Sequence, residues 1–140
     1  MEVKELMTRH VDSAEQGCSI LTAARMMRRH NIGMLPVLIG KRLAGVVTDR
    51  DIVLRAVSKD AALDTVTVGE IMTRKPISCR EDDDLVDVAK LMEEKKIRRM
   101  PVINRQEKLV GVISLDDFAR RLAGQDVVGE VLEAVGARRC

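Results

Sequence analysis

The sequence has almost no aromatic residues. Phe118 is the single ring among 140 residues, and Trp and Tyr are absent. Stacking of bases on exposed rings, the device of many RNA and single-strand binders, is excluded with them. A dominant charge is lacking too: 24 basic residues face 22 acidic ones, for a net +2. That balance makes a poor partner for a long nucleic acid. No run of 18 apolar residues occurs, which argues against a membrane span. The opening MEVKELMTRH lacks the apolar block of a secretory signal. Cys18, Cys79 and Cys140 are odd in number, far apart and without a CxxC. They read as reduced thiols of a cytoplasmic protein, with Cys140 exposed, and not as a disulfide framework. His10 and His30 make no zinc-ligand spacing with a cysteine or with each other.

Aliphatic residues are plentiful. Apolar types make up 46% of the chain, enough to bury a core. The length suits one compact domain, or two very small ones sharing a core. An internal repeat organises it. Shifted by 65 residues, VKELMTR (Val3 to Arg9) falls on VGEIMTR (Val68 to Arg74), and Pro36-Val37 falls on Pro101-Val102. After a one-residue insertion, Leu43 to Thr48 meets Leu109 to Ser114, Asp51 meets Asp117, and Arg55 meets Arg121. Two copies are too few for a solenoid, so they are expected to pack face to face about a pseudo-two-fold axis. The expected divisions are 1–62, 63–123 and a C-terminal helical tail, 124–140.

Each copy reads as β-α-β-β-α, preceded by a helical turn at Leu6-Met7 or Ile71-Met72. A short strand is expected near Val11–Ala14 and again near Ile77–Cys79. In the helices that follow, Ile20, Ala23, Ala24 and Met27, then Leu85, Val88, Ala89 and Met92, recur at i, i+3, i+4 and i+7. Each set forms one buried stripe, with Ser19 and Asp84 at the N-cap positions. Hairpins follow: Leu35–Ile39 with Leu43–Val47, and Met100–Ile103 with Leu109–Ile113. A last helix begins near Thr48 or Ser114. In the tail, Val127, Val128, Val131, Leu132 and Val135 predict a helix over roughly Asp126 to Val135, to be docked on the body or on a second chain. Asp82-Asp83-Asp84 reads as the solvated start of a helix.

The most informative stretch is Gly45-Val46-Val47-Thr48-Asp49-Arg50-Asp51, echoed by Gly111-Val112-Ile113-Ser114-Leu115-Asp116-Asp117. It has two readings. In one, Thr48 or Ser114 caps a helix and the aspartate returns as the partner in a capping box. The bare tetrapeptide is weak, because Thr67 to Glu70 and Ser78 to Glu81 satisfy it as well. In the other, the helix N-terminus offers N–H groups and partial positive charge to a phosphate. The hydroxyl then adds a donor, and the aspartate accepts from the two hydroxyls of a ribose. Strands Ile32 to Val37 and Ile97 to Val102 would wall a flat heterocycle with aliphatic side chains.

Taken together, the repeated Met-Thr-Arg, the amphipathic helices, Ile32-x-x-Leu35-Pro36-Val37, Ile97-x-x-Met100-Pro101-Val102 and the two Gly-Val-[Val/Ile]-[Thr/Ser]-x-x-Asp segments resemble a tandem CBS-domain protein. Such a chain is a stand-alone pair of cystathionine-β-synthase-type motifs. The resemblance covers about residues 1–123. It implies an α+β (α/β) fold of two β-α-β-β-α motifs packed through their sheets. It implies clefts for adenosyl compounds (AMP, ADP or ATP first, S-adenosylmethionine or NAD next) and no obligatory cofactor or metal. A homodimer is implied, as is a regulatory role without chemistry, signalling to an effector protein in trans.

Residue by residue, the resemblance implies that Asp51 and Asp117 hold ribose and that Thr48 and Ser114 touch phosphate or ribose. Ser13 and Ser78 would line the base, beside Pro36 and Pro101. The family's Pro-Asp after the first strand is replaced by Gln16-Gly17 and Glu81-Asp82. The clefts are expected to be unequal. Arg50 helps neutralise phosphate where its counterpart Asp116 repels it. Arg98 and Arg99, against Gly33 and Met34 in the first copy, are expected to serve the opposite cleft, that of Thr48 and Asp51. The rival reading is a ligand-free dimerisation or protein-interaction module. An enzyme reading finds no Ser-His-Asp or Cys-His set and no GxxxxGK loop.

Overall fold

The computed structural model describes residues 1–121 and 123; the expected tail helix and Cys140 lie outside the described residues. The protein is a mixed α+β fold with two small sheets. It divides into two compact units that are not the contiguous halves of the chain. The Thr48 unit comprises Val11–Ile77 with Arg105–Leu109. The Ser114 unit comprises Met1–His10, Ser78–Asn104 and the described residues from Val110 onward. Each copy's Met-Thr-Arg segment therefore belongs to the unit built on the other copy's hairpin.

In the Thr48 unit, β1 (Ala14–Glu15), β2 (Met34–Ile39), β3 (Arg42–Thr48) and β4 (Thr73–Arg74) form one sheet in that order. β1 runs parallel to β2, and β2–β3 is the expected hairpin, with Leu35 opposite Val47. The first strand begins later than the sequence suggests. Ala14 and Glu15 are registered on β2, with Ala14 pointing inward, and the Gln16 N–H extends the contact to the Leu38 carbonyl at 3.0 Å. α1 (Ile20–His30) starts at Ser19, whose side chain accepts from the Thr22 amide at 3.1 Å. It ends at Asn31 in the left-handed region. Its stripe of Ile20, Ala23 and Met27 is buried, in one cluster with Leu35, Val37, Val47 and Ile52. α2 (Asp49–Arg55) follows β3, and α3 (Val68–Ile71) precedes β4.

The Ser114 unit repeats the plan. β5 (Cys79–Arg80), β6 (Arg99–Ile103) and β7 (Leu109–Ser114) form a sheet, with α4 (Leu85–Lys95) and α5 (Leu115–Arg121). Asp84 caps α4 through the Val86 amide at 2.8 Å, and Lys96 ends it left-handed, as Asn31 ends α1. The core joins Leu85, Val88, Met92, Met100 and Ile113 to Val3 and Met7 from the chain's start. The helical turns come earlier than expected. A 3-10 turn spans Val3–Glu5, and α3 stops at Ile71, so Met7 and Met72 follow the turns and insert below the hairpins.

That insertion explains the motif glycine. A Cβ on Gly45 would lie 2.6 Å from the Thr73 carbonyl oxygen and 2.7 Å from Met72 Sδ. On Gly111 it would meet Met7 Sδ and the Thr8 carbonyl oxygen, each at 2.7 Å. Backbone pairs backbone here: Thr8 and Val112 exchange N–H···O bonds of 2.9 and 3.0 Å, and Val46 is registered on Thr73.

Candidate functional site

The Thr48 turn is a capping box. Thr48 is extended (φ −113°, ψ 163°). Its N–H donates to Asp51 Oδ2 at 3.0 Å, and the Asp51 N–H donates to Thr48 Oγ1 at 3.0 Å. The other amides of the first turn are also paired: Asp49 N–H with the Gly33 carbonyl (3.0 Å) and Arg50 N–H with Asp49 Oδ1 (2.8 Å). Of the two readings of this turn, the capping box is the one formed: the first-turn amides are taken by the Gly33 carbonyl, by Thr48 Oγ1 and by the Asp49 and Asp51 carboxylates, which also add negative charge. What stays open is the Thr48 hydroxyl proton and the second oxygen of Asp51. That oxygen, Oδ1, lies 3.6 Å from Arg55 Nη2, and the Asp51 side chain retains 16% exposure. Arg50 is exposed on the same turn.

The Ser114 turn has the same frame with less left open. Ser114 N–H and Oγ both donate to Asp117 Oδ2, at 2.8 and 3.0 Å, and the Asp117 N–H returns to Ser114 Oγ at 3.3 Å. Arg120 Nη2 holds Asp117 Oδ1 at 3.0 Å, and the Asp117 side chain is only 7% exposed. The Leu115 N–H donates to the Arg98 carbonyl at 3.0 Å, as Asp49 does to Gly33. Beside this turn is a cavity of about 260 Å³ lined by Arg98, Arg99, Ser114, Leu115 and Asp116. The two arginines, expected to serve the cleft of Thr48 and Asp51, thus line a cavity with Ser114 and Asp116 of their own copy.

The remaining expected residues fall in two pairs, since the parallel registers Ala14↔Val37 and Cys79↔Val102 put Ser13 beside Pro36 and Ser78 beside Pro101. Ser13 and Ser78 are half-buried, each one residue before its strand. Pro36 and Pro101 are buried within β2 and β6, Pro36 essentially completely. Arg55, which stands 3.6 Å from Asp51 Oδ1, and Arg120, which holds Asp117 at 3.0 Å, are not among the expected site residues. The Asp51-x-x-x-Arg55 spacing, one helical turn, is the signal that points to the first of them. Burial, helped by the charge of Asp83, pushes the Cys79 thiol up to about 12, and burial also raises Cys18. Neither is an activated nucleophile. Among the described residues no group of three or more His, Cys, Asp or Glu is placed to hold a metal ion. No described helix is long and apolar enough to cross a membrane.

Apolar surface is exposed in both units. In the Ser114 unit a groove of about 470 Å³ has walls of Met1, Leu6, Leu85, Val86, Ala89 and Phe118. In the Thr48 unit Val53, Leu54 and Val57 are each at least half exposed along α2 and the turn after it.

Comparison with known proteins places this geometry. The CBS domain family model matches residues 3–58 and 68–124. The CBS domain-containing protein YhcV of Bacillus subtilis (strain 168) is 35% identical over 130 residues, covering 93% of this chain and 91% of that protein. The crystal structure of Hypoxic Response Protein I with two coordinated zinc ions superposes with a TM-score of 0.79 at 32% identity, covering 87% of this chain and 99% of that one. The CBS domain pair of protein MJ0100, in complex with 5-methylthioadenosine and S-adenosyl-L-methionine, gives 0.75 at 30% identity over 90% and 98% of the chains. CBSX2 in complex with AMP gives 0.76 at 27% identity over 88% and 96%. Two copies of one motif, each carrying Gly-Val-[Val/Ile]-[Thr/Ser]-x-x-Asp, fill the described chain, and the chain belongs to the CBS-domain family as a tandem pair.

Proposed function

We propose that this chain is a regulatory sensor that binds an adenosyl ligand, with an adenine nucleotide (AMP, ADP or ATP) first in order, and signals to a partner protein without chemistry of its own. The observation that carries this reading is the open hydrogen-bonding capacity at Thr48 and Asp51, in a chain whose solved relatives hold AMP, S-adenosylmethionine and methylthioadenosine. Asp51 Oδ1 accepts from ribose hydroxyls, and such charge-assisted bonds contribute about 1.5–3 kcal/mol each. The Thr48 hydroxyl donates to the sugar or its phosphate, and Arg50 adds positive charge. In the Ser114 unit, Arg98 and Arg99 suit an anionic group. Their cavity of about 260 Å³ falls just short of the roughly 300–1,000 Å³ of whole-ligand pockets, which fits a sugar-phosphate better than an entire nucleotide. The Ser13 and Ser78 positions line the base. S-adenosylmethionine and NAD remain in the ligand set. The working form is a cytoplasmic homodimer joined through the exposed apolar faces at Val53-Leu54 and Val86.

A thermal-shift panel of AMP, ATP, S-adenosylmethionine and NAD tests the reading. Ligand at about 100 times its Kd stabilises by about 2.7 kcal/mol, a melting increase of roughly 5–10 °C for a chain of this size. Calorimetry on Asp51→Asn and Asp117→Asn follows. The first is expected to abolish most nucleotide binding and the second little of it, and equal loss from both rejects the inequality of the motifs. One observation favours the rival, a ligand-free interaction module: Asp117 is fully engaged within its own turn. A flat thermal-shift panel would decide for that module.

A further inference from the structure

Arg55 carries three contacts that the capping role of its helix does not require. It is the last residue of α2, with its side chain 43% exposed. Nη1 donates to the Ile71 carbonyl at 2.9 Å and to Thr73 Oγ1 at 3.1 Å. Nη2 stands 3.6 Å from Asp51 Oδ1. One guanidinium therefore links the open oxygen of the Thr48 motif to the segment Ile71–Thr73. That segment ends α3, pairs with β3, and presses Met72 and Thr73 against Gly45. The second copy is wired otherwise. Arg121, the counterpart of Arg55 in the repeat, lines the apolar groove, and Arg120 takes Asp117 instead.

We propose that Arg55 is a positioning residue that competes with the ligand for Asp51 Oδ1, and so couples occupancy of the Thr48 motif to the pairing of Met72–Arg74 with β3. This rests on the ligand reading above and adds a route by which binding leaves the site. Hydroxyls of a bound ribose need the lone pairs that face Arg55. When they take them, the guanidinium loses its carboxylate anchor, and its two bonds to Ile71 and Thr73 lose an orienting partner. Coupling between two binding events is reciprocal. A ligand that loosens the segment binds more tightly once Arg55 no longer competes.

The test compares the unaltered chain with Arg55→Met and Arg55→Lys, with AMP as the probe. Calorimetry is expected to give Arg55→Met a several-fold lower Kd for AMP than the unaltered chain, with Arg55→Lys between the two. Hydrogen exchange at Met72–Arg74 is expected to quicken about 3–10-fold on AMP saturation of the unaltered chain. In Arg55→Met it is expected to be quick already and to ignore AMP. A purely structural Arg55 would quicken exchange without tightening AMP. If AMP raises the melting temperature of the unaltered chain but leaves exchange at 72–74 unchanged, or if Arg55→Met weakens or does not alter AMP binding, the coupling is wrong and the ligand reading stands. If none of AMP, ATP, S-adenosylmethionine and NAD moves the melting temperature, the ligand reading falls and takes the coupling with it.

Discussion

Asp51 and Asp117 share a position in the repeat and differ in what their carboxylates have left to offer. Both use Oδ2 to accept from the backbone of the residue that opens the helix. Asp117 Oδ1 is held by Arg120 at 3.0 Å, whereas Asp51 Oδ1 is 3.6 Å from its arginine. The motif's two aspartates were legible in sequence, and so was the capping box as one of two readings. Which oxygen stays open was not, because it depends on arginine rotamers. Thr48→Ala removes the cap and is expected to cost about 0.5–2 kcal/mol, read as a lower urea midpoint at an unchanged slope. Cys79 makes a pH prediction. The free thiol ionises near 9.0 and the buried one near 12. Between those values the unfolded chain holds fewer protons than the folded one, so stability is fully present below pH 9 and declines as pH rises toward 12. The slope approaches about 1.4 kcal/mol per pH unit. Urea titrations at pH 8, 9 and 10 should be steeper in pH for the unaltered chain than for Cys79→Ala, and equal slopes would contradict the burial.

Helices were the most legible elements. The i, i+3 and i+7 residues of α1 and α4 are buried as their spacing predicts, while Ala24 is only partly buried and Ala89 lines the open groove; Ser19 and Asp84 cap the helices. Periodicity over eleven residues integrates many side chains, so one ambiguous position does little harm. The two-residue strands β1 and β5 were displaced by one to three residues, since nothing local marks where pairing with β2 or β6 begins. The turn Thr67 to Glu70, set aside as a weak tetrapeptide, forms a box, with the Thr67 N–H on Glu70 Oε2 at 2.7 Å. Gly45 and Gly111 read as motif letters in sequence and as contact points in structure. Gly45→Ala and Gly111→Ala force a methyl against a carbonyl that the β ladder holds in place. Each is expected to cost about 1–3 kcal/mol, lowering the melting temperature by several degrees. A melting curve unchanged by both would show that the hairpins and Met-Thr-Arg segments are not in contact.

At the scale of the whole molecule, each compact unit is assembled from both copies of the repeat. Val3 and Met7 complete the core around Met92 and Met100, although the sequence between them belongs largely to the other unit. Val3→Asp, which puts a charge at a fully buried position, should therefore speed hydrogen exchange in 85–103, far away in sequence. The effect on the neighbouring residues 14–48 should be smaller. The opposite order would mean that the opening segment packs on its own copy. The repeat, the two long helices with their Ser19 and Asp84 caps, the hairpins and the resemblance to the family were legible in the sequence alone. Their signals are local: a hydrophobic period, a capping spacing, a glycine before β-branched residues. Three things awaited the tertiary structure: which Met-Thr-Arg segment lies under which hairpin, that the first-turn amides are already paired, and that Arg55 reaches from Asp51 to Ile71 and Thr73. Each depends on residues brought together by the path of the chain, and a duplicated sequence offers two nearly equivalent partners for every such contact. Only the fold breaks that tie.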